Sequence, residues 1–259
     1  MKIKTVISQL IINLFFGIII TLMVRHYLFY QNIALDIDAW GVFYSAFGIL
    51  YAIMIGFILI GALDKYEQLK LTVDSEISEI QNIRDFLIYF DEKQKEEINN
   101  VRKSLYSYVT SIIEKEWKEM SDLSVQTSIE SSDELKQIIV SVGELKVENE
   151  NDSIALNSII NLIPNLTNHR IKRIYLSDEE VPPPVMKLLI FMSIILVAGF
   201  LVLGVQGVLV HIFMICSLST TLQFVINLLF DLNNPFDGIW YINNKNYVDL
   251  SLRIKNKIF

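Results

Sequence analysis

The chain has 259 residues, 52% of them apolar, and a net charge of −7; its mean hydropathy of +0.41 lies above that of ordinary soluble domains. Charge is segregated: residues 5–24, 39–63 and 188–230 contain no Asp, Glu, Lys or Arg, whereas residues 63–186 hold 24 acidic and 14 basic side chains. That acidic balance excludes a Lys/Arg-rich nucleic-acid surface, and a single cysteine, Cys216, excludes an intrachain disulfide framework or a thiolate metal site.

In chain order, Thr5–Val24 comes first, about 30 Å of helix and the thickness of a bilayer core. Lys2 and Lys4 precede it as they would a signal peptide. The apolar run is too long for that, and it ends in Arg25-His26 instead of a small-x-small cleavage site, so it reads as a retained span. Residues 39–63 form a second span, long enough to cross with some tilt. Along one side of it cluster Gly41, Ser45, Gly48, Ala52 and Gly56, small residues that let helices approach closely. Beside them Ile49, Ile53 and Phe57 follow at i, i+4, i+8 and stack in one line. Periodicity leaves two readings open. The line packs against other spans or lipid, or it forms an apolar constriction where copies of one helix surround an axis.

The 64–184 insert is helical and polar. Val73, Ile77, Ile80, Ile83, Leu87 and Phe90 continue as a stripe directly from the second span. Ile98 to Ile113 make a second, ending near Glu116-Trp117, and Leu135 to Leu145 a third. Ile154 to Ile163 make a fourth, which Pro164 is expected to stop. The opposite faces mix acids with Lys and read as solvated surface. Ser121–Ser132 reads as the longest loop, and Pro182-Pro183-Pro184 separates the insert from the next span.

The charge-free stretch 188–230 would be about 65 Å of helix, twice a bilayer, so it must fold back. Gly204-Val205-Gln206-Gly207 is the turn, giving spans of about 185–203 and 208–230. Positive charge then sets orientation. Lys2, Lys4, Lys65, Lys70, Lys187, Arg253, Lys255 and Lys257 lie on one side; Arg25, Asp36 and Asp38 lie on the other. The expected layout is all-α and polytopic in the inner (plasma) membrane, with both termini cytoplasmic. It comprises a transmembrane hairpin over 1–63, a cytoplasmic domain over 64–184, a second hairpin over 185–231 and a cytoplasmic tail over 232–259.

Catalytic signatures are missing: no His-Glu-x-x-His, phosphate-cradling glycine loop or Gly-x-Ser-x-Gly occurs. His26, His169 and His211 are scattered. His169, with Arg170, Lys172 and Arg173, reads as a solvated helix end, and His211 as an interfacial cap. Asp133-Glu134 and Asp178-Glu179-Glu180 point different ways on a helix and make poor acid/base pairs. No enzyme, cofactor or metal site is expected.

Gly48-Ile49-x-x-x-Ile53-x-x-Gly56-Phe57, followed by Asp64-Lys65-Tyr66, resembles the second transmembrane helix of bestrophins, particularly prokaryotic ones. Asn234-Pro235-Phe236-Asp237-Gly238 is similar to the Asn-Pro-Phe motif after their last span. Tyr51, Glu116-Trp117, the prolines before the third span and Pro235-Phe236-x-Gly238 resemble more closely a family of uncharacterised prokaryotic four-span proteins described as bestrophin-like. The resemblance implies a pentameric ion channel whose neck is Ile49, Ile53 and Phe57, with Gly48, Ala52 and Gly56 packing beside it. Its partners would be copies of itself, the lipid bilayer and inorganic ions. The acidic run that clasps calcium in animal bestrophins is replaced by Ile239-Trp240-Tyr241-Ile242-Asn243-Asn244, so a calcium clasp is not expected. The alternative is a non-conducting anchor whose acidic domain docks a cytoplasmic partner.

Overall fold

The computed structural model describes residues 3–30, 37–122, 132–202 and 205–256. Lys2, Asp36, Lys257, Gly204 and most of the Ser121–Ser132 loop lie outside the described residues. All regular structure among the described residues is helical: α1 Ile3–Tyr30, α2 Ile37–Phe86, α3 Lys95–Ser111, α4 Trp117–Ser121, α5 Asp133–Gly143, α6 Glu150–Asp178, α7 Pro183–Val202, α8 Val208–Asn233 and α9 Lys245–Lys255. Among the described residues four segments are long and apolar enough to cross a membrane: one in α1, one beginning in α2 at Ala39, and helices α7 and α8. The protein is therefore an all-α, four-span membrane protein.

Two compact units divide the chain. The membrane unit comprises residues 1–64, 180–233 and 237–240, and the polar unit residues 65–179, 234–236 and 241–259.

In the membrane unit α1 and α8 lie antiparallel. Near one end Asn227 donates to Gln9 Oε1 at 3.3 Å; further along, the Cys216 thiol lies 3.7 Å from the Leu14 carbonyl. A Cβ on Gly17 would come within 3.3 Å of Cys216 Sγ, so this glycine sets the closeness of the two helices. At the other end Arg25 donates to the carbonyls of Val205 and Gln206, the latter at 2.6 Å, fixing the turn between α7 and α8. His211 follows that turn and is buried. Its Nε2 lies 3.0 Å from the Phe200 carbonyl, an acceptor that a carbonyl-rich helix end supplies.

In the polar unit one core gathers Leu69, Ile80 and Ile83 of α2, Val101 and Leu105 of α3, Leu135 and Ile138 of α5, Ile159 and Leu166 of α6, and Tyr247, Leu250 and Ile254 of α9. Local signals place the helix starts. Ser132 accepts from Leu135 N at 3.2 Å, and Asn149 accepts from Asp152 N at 2.9 Å while Asp152 accepts from Glu148 N at 3.0 Å. Gln94 clamps the α5–α6 link, donating to and accepting from the Lys146 backbone at 2.7 Å each way.

Two expectations are corrected here. Pro164 does not stop the fourth polar helix, because α6 runs unbroken to Asp178. Its ring sits on the exposed face, and Ile160, whose carbonyl loses its amide partner, is 49% exposed, so water can serve that carbonyl. Burial of Ile159 before the proline and Leu166 after it opposes a helix penalty of about 3 kcal/mol. Nor do Arg170 and Arg173 lie on a solvated helix end. Both are in the interior of α6, and Arg173 is fully buried.

Candidate functional site

The membrane part of α2 presents three distinct faces. Tyr44 and Tyr51, two turns apart, fasten it to α7. The Tyr44 hydroxyl donates to the Ile195 carbonyl at 2.6 Å, and its ring meets Phe200 edge-on at 5.5 Å. Tyr51 exchanges a 2.8 Å hydrogen bond with Ser193. Gly199 is required for this seat, since a Cβ there would overlap the Tyr44 ring. At 3.6 residues per turn, Ile49 and Ile53 lie roughly 160° around the helix from Tyr51, with Phe57 roughly 120° away. Their exposures of 62%, 54% and 74% show that the protomer leaves the line uncovered. Gly48, Ala52 and Gly56 fall between the tyrosine face and the Ile-Ile-Phe line, and a Cβ at Gly48 or Gly56 would meet nothing within 4 Å.

Further along α2, Glu76 is fully buried in the polar unit. It lies three residues after Val73 and four before Ile80, on the register of the apolar stripe. Arg173 Nε donates to Glu76 Oε2 at 2.6 Å, and its NH2 reaches Glu76 Oε1 at 3.2 Å and Glu116 Oε2 at 2.6 Å. Arg170 donates to Glu116 Oε1 at 2.9 Å. The hydroxyls of Tyr108 and Tyr247 donate to the two Glu76 oxygens at 2.7 and 2.8 Å. Four helices and a π turn thus converge on two acids and two arginines, a neutral set with its oxygens well supplied.

Glu116 ends a π turn, Ile112–Glu116, and both it and the neighbouring Trp117 are buried. Trp117 then meets Phe236 at 5.0 Å and Tyr247 at 5.8 Å, both edge-on. Burial alone would raise the Glu116 pKa, but Arg173 and Arg170 outweigh it and hold the carboxyl below its ordinary value. Burial also favours a neutral Arg173, yet Glu76 above all keeps it firmly charged. Burial, reinforced by Glu76, pushes the phenols of Tyr108 and Tyr247 well up.

The segment after α8 divides between the units. In the polar unit Asn234 donates to the Ser121 carbonyl at 3.0 Å, Ile242 N donates to the Pro235 carbonyl at 2.8 Å, and Phe236 is buried. In the membrane unit Asp231 accepts from Ile239 N at 2.9 Å and from Trp240 N at 2.7 Å. Gly238 has φ +135°, and a Cβ there would run into the Asp231 carboxylate, so glycine is needed on both counts. Asp237 is exposed. Backbone amides therefore take the oxygens of Asp231.

This geometry can be set beside known proteins. The profile of the Bestrophin-like domain matches residues 14–247. The chain belongs to the bestrophin-like family. Its fold is that of a bacterial bestrophin homolog from Klebsiella pneumoniae, seen in a point-mutant crystal structure with a TM-score of 0.73 and 14% identity, covering 96% of this chain and 99% of that one. The same homolog phased on zinc gives a TM-score of 0.68, also at 14% identity, over 96% and 98% of the two chains. A crystal structure of a membrane protein matches with a TM-score of 0.73 at 14% identity, over 96% of each chain. No curated protein matches the chain.

The bestrophin-like motifs thus sit in three places. Ile49, Ile53 and Phe57 are on an open helix face, Glu116-Trp117 in the buried cluster, and Asn234–Gly238 at the turn after α8. Sequence reading missed Glu76 and Arg173. The signal was present: each is a charge on a core register, Glu76 on that of Val73 and Ile80, Arg173 seven residues after Leu166.

Proposed function

We propose that the chain assembles as a pentameric ion channel in the inner (plasma) membrane, with α2 around the axis and Ile49, Ile53 and Phe57 as its apolar neck. The observation that carries this reading is the asymmetry of α2. Its tyrosine face is anchored on α7, while the opposite Ile-Ile-Phe line is open. Small residues flank that line where a neighbouring copy would approach. Resemblance to bestrophins implies the pentamer and the conducting role of a neck at this spacing. Such a ring of apolar side chains gates by dewetting. Both termini and the polar unit are cytoplasmic by the distribution of Lys and Arg. The turn gripped by Arg25 accordingly faces outward, and the acidic balance of the polar unit favours cations.

Flux from liposomes containing the purified protein tests the proposal. Replacing Ile49, Ile53 and Phe57 together by Ala is expected to raise ion flux several-fold by removing the barrier. Unaltered flux would reject the neck. Absence of flux in both proteins, with a monomer or dimer by size in detergent, would instead favour a non-conducting anchor.

A further inference from the structure

Residues 237–240 follow the last span and read from the sequence as tail, yet they belong to the membrane unit. The spanning helices set their depth. Asp231 is the first charged side chain after the charge-free run 188–230. On the antiparallel α1, Gln9 meets Asn227. Lys4, five residues before Gln9, therefore comes level with Asp231, four residues after Asn227. The first charges of two spanning helices thus share one plane, about 6–7 Å beyond that hydrogen bond. Charges are excluded from the hydrocarbon, so the plane marks its edge. Phe230, one residue inside it, is half exposed on a spanning helix, so lipid already reaches this level.

Trp240 is held in the same plane. Its backbone amide and that of Ile239 donate to the Asp231 carboxylate, and Gly238 supplies the positive φ that the turn needs. The turn is therefore ordered before it meets anything. Trp240 and Ile239 nevertheless stay 50% and 36% exposed, and among the described residues no protein group takes the indole N–H. A large apolar ring with an unspent donor suits neither water nor hydrocarbon alone. It fits the layer between them, where upper acyl carbons cover the ring and lipid oxygens accept the N–H.

We infer that the turn after α8 is an interfacial anchor, with Trp240 seated in the headgroup layer of the phosphoglycerolipid leaflet at the Asp231 end and its indole N–H donated to a lipid ester or phosphate oxygen. The occupant is lipid because the turn continues the lipid-covered surface of α8 at the depth where that surface ends. A preordered turn loses little further freedom on contact, so covering the ring is not offset by an ordering cost. The inference needs only the spans, so it stands or falls independently of conduction.

Fluorescence quenching of the full-length protein in phosphatidylglycerol–phosphatidylcholine vesicles tests it. Emission lost in Trp240→Phe belongs to Trp240, since Trp40 and Trp117 are common to both proteins. Bromine on acyl carbons next to the glycerol is expected to quench that component several-fold more than bromine near the terminal methyl, and aqueous acrylamide to quench it little. Quenching by acrylamide and by neither bromolipid would place the ring in water and overturn the anchor. Stronger quenching by the deep bromine would sink the ring in hydrocarbon, and protection from all three quenchers would put another copy over it; each overturns the assignment. Gly238→Ala drives a Cβ into the Asp231 carboxylate. Compared with its own Trp240→Phe double variant, it should lose most of the contrast between shallow and deep bromine, and an unchanged contrast counts against the fixed seat. Should Trp240→Phe fail to accumulate, a nitroxide on Ile239→Cys in a Cys216→Ala background gives an equivalent reading. Relaxation by oxygen above that by an aqueous nickel chelate is expected there, and the reverse overturns the proposal.

Discussion

In the membrane unit Ile49, Ile53 and Phe57 are 54–74% exposed, while in the polar unit Glu76 and Arg173 are fully buried. Each arrangement inverts the rule for soluble proteins, and the reasons differ. Around a spanning helix the medium is lipid or another copy of the chain, so apolar surface loses nothing by staying outward, and packing relies on small residues and hydrogen bonds. The polar unit has water as its alternative. A charge can be taken inside only when its partners replace hydration, and there the Glu76–Arg173–Glu116–Arg170 set supplies them. Polar contacts therefore fasten one face of α2 in the membrane unit, whereas in the polar unit they form the centre of the core.

The sharpest way to break this contrast is to remove the central cation. Arg173→Met leaves Glu76 buried with no cation beside it, only the two tyrosine hydroxyls, and Glu116 with Arg170 alone, and should destabilise the polar unit by about 3–5 kcal/mol. Thermal unfolding of the purified protein would report it. Adding Glu76→Gln to Arg173→Met should recover part of the loss, because one uncompensated charge disappears. No recovery would mean that the cluster acts by shape alone.

A smaller effect, with a pH signature, is expected from Tyr247→Phe. The hydroxyl is one of two that supply Glu76, and hydrogen bonds to charged groups contribute about 1.5–3 kcal/mol. The folded pKa values of Tyr108 and Tyr247 lie above the unfolded value of about 10. Their contribution is complete below that pH and is lost as pH rises through the folded values. Glu116 behaves oppositely. Its folded pKa is depressed, so its contribution is present above about pH 4.3 and disappears as pH falls through the folded value. Unfolding followed against pH should show a plateau between these limits. Tyr247→Phe should flatten the alkaline limb and leave the acid limb unchanged.

The same contrast explains what could be read from the chain. The four spans were legible because charge-free length is set by bilayer thickness, a constraint that requires no knowledge of tertiary partners. The Ile49–Ile53–Phe57 line was legible as a period, and the structure adds the anchored tyrosine face opposite it. The charge cluster was not legible as a unit: Glu76 and Arg173 are 97 residues apart in sequence, and either alone resembles a solvated charge until the other is placed. Glu116 continues the register of Leu105, Tyr108 and Ile112, yet in sequence it reads only as the end of a stripe until its arginine partners are placed. Pro164 misled for a related reason. Its local penalty was visible, and the core contacts that oppose it were not. Likewise α9 appeared only as tail, although Tyr247, Leu250 and Ile254 are wholly buried in the polar core.

The finest discrimination comes from making one chemical change in both units. Tyr51→Phe deletes a hydroxyl, as Tyr247→Phe does, but its partner is the neutral Ser193 hydroxyl. Ser193 also donates to the Leu189 carbonyl at 2.8 Å, so it keeps a partner when Tyr51 loses its oxygen. Hydrogen bonds between spanning helices average about 0.6 kcal/mol, because the separated helices find other partners within the membrane. Tyr51→Phe should therefore cost several-fold less than Tyr247→Phe when both are measured in one detergent by the same unfolding assay. A Tyr51→Phe penalty equal to that of Tyr247→Phe would show that the α2–α7 seat is as exacting as the buried charges. The tyrosine face of α2 would then be a core in its own right rather than a fastening.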